Sequence, residues 1–365
     1  MRRWGYYLAA AALTAGVVAG CGPVPTAAPV AKAPAKHGFI VTGTAKNIYK
    51  INPVTYQAMK IPYDPAGNTF IVAVGPRHRR AFVPDMAGHV YVLNLKTGAT
   101  IAVLPAPKGA DIARFTPNGK ELWVTGASKQ GVGFTEVYNP ATLKLIKNIP
   151  GVGPENVKGF LVFSPDGKYA FISGFHPMHY IDVVDTKTFQ LVKKIPGGGY
   201  VDGVLQPNGK LLWAFNIYTG VVHLISTTSL KQVGTISVPS EACPYWNPSI
   251  GTKFFTGYMQ GWVGPRGKHM YNGAYDGRVV VFNIAKRRMD GSIWVHDPQP
   301  APSPKNHFGN PHLAQINGMV WGPRGEHIWA SLGGDKAVVV LDPKTGHVTH
   351  VFHPMVSPRF TVVSY

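Results

Sequence analysis

The tetrapeptide Phe-His-Pro-Met occurs twice, at Phe175-His176-Pro177-Met178 and at Phe352-His353-Pro354-Met355, and His179 directly follows the first copy. Each copy sets an imidazole two residues ahead of a thioether. Together those ligands suit copper, and imidazole alone suits zinc, iron or haem. Three more histidines, His296, His307 and His312, fall in a Pro-rich stretch at 296–317. A second stretch, 239–261, is aromatic and carries Glu241 and Cys243. Fourteen histidines in 365 residues place several on any surface, so the same imidazoles also read as ordinary loop residues. Motifs that would fix a chemistry are missing. The sequence holds no Cys-x-x-Cys-His, no His-Glu-x-x-His, no Gly-x-Ser-x-Gly and no Walker loop.

The elements that hold these residues must be strands. Gly (42) and Pro (32) make up about a fifth of the chain, where roughly 12% is usual. Both are the poorest residues for a helix interior. No three-residue Gly period points to collagen, and 45% hydrophobic with 11% aromatic residues is too apolar for disorder. A turn-rich all-β protein remains.

Residues 160–195 show how it is organised. Phe160-Leu161-Val162-Phe163 reads as a strand and Ser164-Pro165-Asp166-Gly167 as a tight turn. Three further strands follow, at Tyr169 to Ser173, Tyr180 to Val184 and Phe189 to Ile195. The first turn recurs as Pro117-Asn118-Gly119-Lys120, Pro207-Asn208-Gly209-Lys210, Pro265-Arg266-Gly267-Lys268 and Pro323-Arg324-Gly325-Glu326, with a degenerate copy at Pro76-Arg77-His78-Arg79. The turn after the third strand begins at Asn52, Asn94, Asn139, Asp185, Ser226, Asn283 and Asp342, at spacings of 42, 45, 46, 41, 57 and 59. Side chains of these types close such turns by bonding the backbone two residues on, so recurrence assigns them to the turn and not to catalysis.

A repeat of about 40–45 residues with four strands is a β-propeller blade. The first copy lacks its opening strand, since Phe39 to Thr42 already reads as strand two, and the chain ends on an unclaimed strand, Phe360 to Tyr365. Joining them predicts an all-β, seven-bladed propeller of four-stranded antiparallel blades over 38–365, the first blade closed by the C-terminal strand.

Alternation then sorts the connections. Turns between strands one and two and between three and four share one face, which carries cations such as Arg77, Lys120, Lys168, Lys210, Lys268 and Arg324. These are solvated turns, or a surface for an anionic envelope polymer or lipid headgroups. Loops between strands two and three, and connections between blades, share the other. That face collects His176, Met178, His179, Cys243, His296, His307, His312, His353 and Met355, and with two long insertions it is the candidate functional face. Asp111, Asp202 and Asn317 open inner strands at the mouth of the central channel, where they cap backbone groups or meet a ligand.

Ile40-Val41-Thr42-Gly43, Leu122-Trp123-Val124-Thr125-Gly126, Ser164-Pro165-Asp166-Gly167-Lys168 and Val183-Val184-Asp185-Thr186-Lys187-Thr188 resemble the YVTN-type (YncE-like) β-propeller repeats. The resemblance covers essentially residues 38–365. It implies the fold and leaves the activity open, because relatives include extracytoplasmic repeat proteins without a known role. More distant ones are the haem d1 propeller of nitrite reductase and the heavy chain of methylamine dehydrogenase. It also admits a noncovalent haem d1-type group, whose axial histidine the His-Pro-Met loops would supply.

The N-terminus is a targeting segment. Arg2 and Arg3 precede a short apolar run, Leu8 to Ala19, and Val18-Ala19-Gly20-Cys21 resembles a bacterial lipobox. Residues 1–20 are therefore expected to be a lipoprotein signal peptide, and 21–37 a Pro/Ala-rich tether with lipidated Cys21. Cys243 is then the one remaining thiol, so no intrachain disulfide forms. The formal charge is +19, from 36 Lys+Arg against 17 Asp+Glu, yet only 15% of residues are charged. Carboxylates are scarce, as suits a basic extracytoplasmic protein or an acidic habitat where they would be protonated. No segment forms a basic-aromatic patch, so nucleic acid is not an expected partner.

The expectation is a propeller anchored by lipid to the outside of a bacterial cell membrane or to an outer membrane. It binds or scaffolds a ligand or protein partner at its insertion face, and no motif requires a cofactor. A redox-associated protein holding metal or haem through His and Met is the alternative. A lactonase-like hydrolase on the same fold is the third reading, for which the sequence offers no catalytic signature.

Overall fold

Strands this short cannot each bury two apolar faces alone, so they pair into small sheets and the sheets stack face to face. The computed structural model describes residues 38–43, 47–63, 67–69, 71–154, 159–174, 180–238, 245–247, 252–254, 258–274, 277–295, 316–332, 337–352 and 360–364. They form seven four-stranded antiparallel sheets with no helix among the described residues. We number these blades 1 to 7 along the chain.

The innermost strands of blades 2 to 7 are Ala73–Val74, Ala110–Phe115, Gly159–Phe163, Tyr200–Leu205, Tyr258–Val263 and Ile316–Trp321. Blade 1 is built from both ends of the chain. Its innermost strand is Phe360–Ser364, paired with Phe39–Gly43 from Phe39 opposite Ser364 to Gly43 opposite Phe360. Each inner strand touches the next around the axis, and the C-terminal strand touches those of blades 7 and 2, so the ring is closed. The expected architecture and its closure are both present.

The core lies between blades. Trp213 of blade 5 meets Phe282 of blade 6 edge to face, with centroids 6.0 Å apart, and Phe82 of blade 2 meets Phe115 of blade 3 at 5.4 Å. Trp123, Trp213 and Trp329 are fully buried. Side chains of this size contribute roughly 1.5–3 kcal/mol each when removed from water, which makes blade stacking the main source of stability.

The turn end of the disc is periodic. All seven third-to-fourth-strand turns are closed by the side chain of their first residue. Asn52, for example, accepts from Val54 and Thr55 N–H at 2.8 and 3.1 Å, and Asp342 from Lys344 and Thr345 N–H at 2.7 and 3.3 Å. Ser226 does the same through its hydroxyl, accepting from Ser229 N–H at 3.1 Å. The Pro-x-Gly turns add a link between blades. A methyl group on Gly209 would lie 2.1 Å from Cγ of Pro165 in the preceding blade, and one on Gly119 would lie 2.5 Å from Cγ of Pro76. Both glycines have φ of +68°, so each is required by its own turn and by its neighbour's proline.

Two boundaries shift from the sequence expectation. The stretch 239–261 already includes the start of the inner strand Tyr258–Val263, and 296–317 includes Ile316 and Asn317 of Ile316–Trp321. Pairing with the adjacent strand decides both limits. A further hairpin, Tyr245–Asn247 with Thr252–Phe254, lies between blades 5 and 6 and was not expected.

Candidate functional site

Most of the sequence candidates lie outside the described residues: Cys21, His176, Met178, His179, Cys243, His296, His307, His312, His353 and Met355. Among the described residues, no cluster of three or more His, Cys, Asp or Glu could hold a metal ion. Asp202, Asp111 and Asn317 are described, on the inner strands of blades 5, 3 and 7. Each sits at or beside a bulge near the start of its strand. A bulge re-aims the residues next to it.

These bulged segments stitch one inner strand to the next. Oδ2 of Asp202 accepts the N–H of Gly261 in blade 6 at 2.6 Å, and Oε1 of Gln260 accepts the N–H of Met319 in blade 7 at 3.2 Å. Between blades 2 and 3 the backbone does the same work, with Ile71 N–H donating to Asp111 C=O at 2.8 Å and Ala113 N–H to Ile71 C=O at 3.1 Å. Asp202 is buried, and burial pushes its carboxyl up to about 7; the N–H groups of Gly261 and Gly203 and the charge of Arg114 pull the other way. Burial lowers the Arg114 guanidinium, which the Asp202 charge partly offsets. These two residues stand on inner strands of blades 3 and 5, and each feels the other's charge.

A second constellation opens at the end of the disc that carries the second-to-third-strand loops and the inter-blade connections. A cleft of about 570 Å³ lies between blades 3 and 4. It is lined by the Ser128–Gly133 loop of blade 3, by Gly151 and Gly153, and by the buried Asp182 and the partly exposed Lys194 of blade 4. Strand alternation puts the carboxylate there. Ile181 and Val183 pack toward Tyr200 and Leu212 of blade 5, while Val184 packs on the other side with Trp123 and Val152 of blade 3, so Asp182 faces blade 3. Its side chain is 1% exposed, yet Lys194, directly opposite it in register, reaches it at 3.1 Å. Gly153 N–H approaches Oδ2 at 3.5 Å. The ammonium of Lys194 also lies 5.3 Å from the centre of the Tyr180 ring. The Ser128–Gly133 loop is stiff, since Ser128 N–H donates to Val132 C=O at 2.9 Å and its hydroxyl accepts Val132 N–H at 3.2 Å. Lys129 adds a cation on that loop. Taken together, the cleft offers one buried acceptor and two ammonium groups around it, and its size is that of a small-ligand site.

Arg114, Asp182, Lys194 and Lys129 are absent from the sequence candidates. The signal for Asp182 was a carboxylate between Ile181 and Val183 in an otherwise apolar strand, with a lysine in the partner strand. Arg114 stood out in the same way, as a guanidinium between Ala113 and Phe115.

No protein-family model matches the chain, and no curated protein matches it in sequence. Solved structures do. The periplasmic gluconolactonase of Pseudomonas aeruginosa superposes with a TM-score of 0.65 at 15% identity, over 90% of this chain and 99% of that one. Hydrazine synthase of Kuenenia stuttgartiensis superposes with a TM-score of 0.58 at 19% identity, over 75% of this chain and 76% of that one. At such identities the likeness is one of fold, and the fold shared is the seven-bladed β-propeller.

Proposed function

We propose that this protein is an extracytoplasmic binding module, a propeller of the YVTN-repeat kind anchored through a lipid on Cys21, which takes a small polar ligand at its loop end. The observation that carries the binding reading is the cleft between blades 3 and 4, where a buried carboxylate, two lysines and a stiff glycine-containing loop converge on about 570 Å³. A closed ring supplies the rigid frame that such a site needs. The lipobox-like run at 18–21 supports the anchor, and likeness to a periplasmic protein agrees with a location outside the cytoplasm.

The test is a thermal-shift and calorimetric screen of purified protein against sugars, sugar acids, amino acids and inorganic phosphate, on the parent and on Asp182→Asn and Lys194→Met. At least one class should stabilise the parent and leave Lys194→Met unmoved. A parent that responds to none, or variants that respond as the parent does, would sink the assignment of this cleft. Replacing Cys21 by Ala should move the protein from the membrane to the soluble extracytoplasmic fraction; continued partition into detergent would rule out the anchor.

A second reading, a lactone hydrolase, draws on the full-length likeness to the gluconolactonase. Steady release of acid from glucono-δ-lactone above the uncatalysed rate, measured in a pH-stat, would establish it in place of the binding module.

A further inference from the structure

We propose that the turn end of the disc is a docking surface for anionic lipid headgroups, so that the protein lies with its periodic turns on the membrane and its cleft facing away. The inference rests on the lipid-anchor reading for its biological setting and on the charge layout for its physics.

The two ends of the disc differ in charge. The first-to-second-strand turns hold eight Lys/Arg and the third-to-fourth-strand turns six, against five Asp/Glu in both sets together, with Asp185 counted at the start of its turn. Over the whole sequence, the second-to-third and inter-blade connections hold eight Lys/Arg against six Asp/Glu. The turn-end carboxylates are moreover engaged by their own turns. Asp166 accepts from the Ser164 hydroxyl at 2.5 Å and Lys168 N–H at 3.0 Å, and Asp342 caps Lys344 and Thr345. Glu121 accepts the Trp123 indole N–H at 2.9 Å, and Glu326 pairs with Arg324 at 2.5 Å. The ammonium groups of Lys120, Lys210 and Lys268, by contrast, stand exposed at the tips of their turns. A ring of cations around one end of a flat body matches a flat anionic surface, and polybasic faces are drawn to such membranes.

The chain's own path favours a membrane over a soluble polymer. Phe39 opens the second strand of blade 1 at the turn end, because Ile40 pairs with Ile51, the residue just before the Asn52 turn. Lys50 confirms that level, with its ammonium 4.5 Å from the Phe39 ring centre and 3.1 Å from Leu95 C=O, beside the Asn94 turn of blade 2. The segment that carries Cys21 therefore leaves the disc from the basic end, and 17 residues span at most about 60 Å. A lipid on Cys21 would tether the disc from its cationic end, and the charge layout selects that end for the headgroups.

The experiment is vesicle co-sedimentation of the full chain carrying Cys21→Ala, which has no acyl group to bind by. Vesicles are pure phosphatidylcholine or phosphatidylcholine with about 30% phosphatidylglycerol, in low salt and at about 0.5 M NaCl, where the Debye length falls to a few ångströms. Two triple variants remove equal charge: Lys120→Glu/Lys210→Glu/Lys268→Glu on the turn end, and Lys60→Glu/Lys108→Glu/Lys147→Glu away from it. The parent should bind phosphatidylglycerol vesicles at least tenfold better than neutral ones and release in high salt. The turn-end triple should lose at least tenfold and the control triple less than threefold. No binding by the parent, or equal loss in the two triples, overturns the proposal. Binding to soluble polyphosphate without binding to vesicles overturns it too, in favour of a polymer. Because no lipid is attached, a failed lipobox leaves this result unaffected, and the cell-fractionation test of Cys21 reports on the anchor alone.

Discussion

At the turn end of the disc, the seven third-to-fourth-strand turns repeat one plan, a capping side chain and a residue four positions on at positive φ from Tyr56 to Gly346, while Pro-x-Gly tips of the first-to-second-strand turns, such as those of Gly119 and Gly209, sit against the preceding blade. At the other end the connections range from three residues, 197–199, to twenty-one, 295–315. The same strands feed both ends. Where the chain only has to turn round, local chemistry and blade contact allow one solution, and it is reused. Where the chain crosses from blade to blade, length is free to vary, and there the one described cleft with a buried charge occurs. Periodicity marks the frame, and the cleft beside Asp182 lies where the connections depart from it.

The frame can be attacked first. Deleting Phe360 to Tyr365 removes the innermost strand of blade 1 and leaves the edge of Phe39–Gly43 unpaired. The melting temperature should fall by about 10 °C or more, or the chain should aggregate through that edge. A melting curve like the parent's would mean that the ring does not depend on the strand that closes it.

The next largest effect belongs to Asp202. A carboxyl with its native pKa raised to about 7 holds a proton in the folded state that it loses in the unfolded state near pH 4. The contribution of this one group to stability is then greatest below about pH 4, falls as pH rises toward 7, and is level above, with a span of at most about 4 kcal/mol. Asp202→Asn keeps an acceptor for Gly261 N–H and removes the titration, so its denaturation midpoint should fall less than the parent's as pH rises across that window. A parent that is equally stable at pH 4.5 and 7.5 by urea denaturation would contradict this origin for the shift.

A pair of glycines compares the two ends directly. Gly209 and Gly151 have φ of +68° and +73°, but a methyl on Gly151 meets nothing within 4 Å, while on Gly209 it strikes Pro165. Gly209→Ala should cost about 2–4 kcal/mol, conformational strain plus overpacking, and Gly151→Ala about 1–2 kcal/mol from strain alone. Equal costs in denaturant would show that the blade-to-blade seat contributes nothing. Smallest is the cleft pair. Lys194 is 42% exposed, so solvent screens it, and Lys194→Met should cost about 1 kcal/mol. Asp182→Asn/Lys194→Met together should cost less than Lys194→Met alone, since the orphaned carboxylate is then gone.

The frame was legible in the sequence because its signals are local. Asn52, Asn94 and Asp342 announce turns by type and spacing, and Phe360 to Tyr365 announces closure by having no partner nearby. The cleft was not legible, because its residues come from different repeats. Lys194 reads as a surface lysine until the register sets it opposite Asp182, and Gly153 reads as a linker until it meets that carboxylate. The aromatic-rich insertion drew attention by length, but length alone did not reveal the hairpin Tyr245–Asn247 with Thr252–Phe254. The His-Pro-Met loops lie outside the described residues.

In six blades a turn joins the first strand to the second. In blade 1 that position lies between two strands far apart in sequence, Phe360–Ser364 and Phe39–Gly43, with Phe39 level with Ser364. The molecule is thus a circle cut at one of seven equivalent places. A short Pro-Asn-Gly-Lys linker from Tyr365 to Gly38 would make the cut disappear, and new termini could be opened at any other Pro-x-Gly tip. Every such rearranged chain would emerge from the basic end, leaving the cleft untouched.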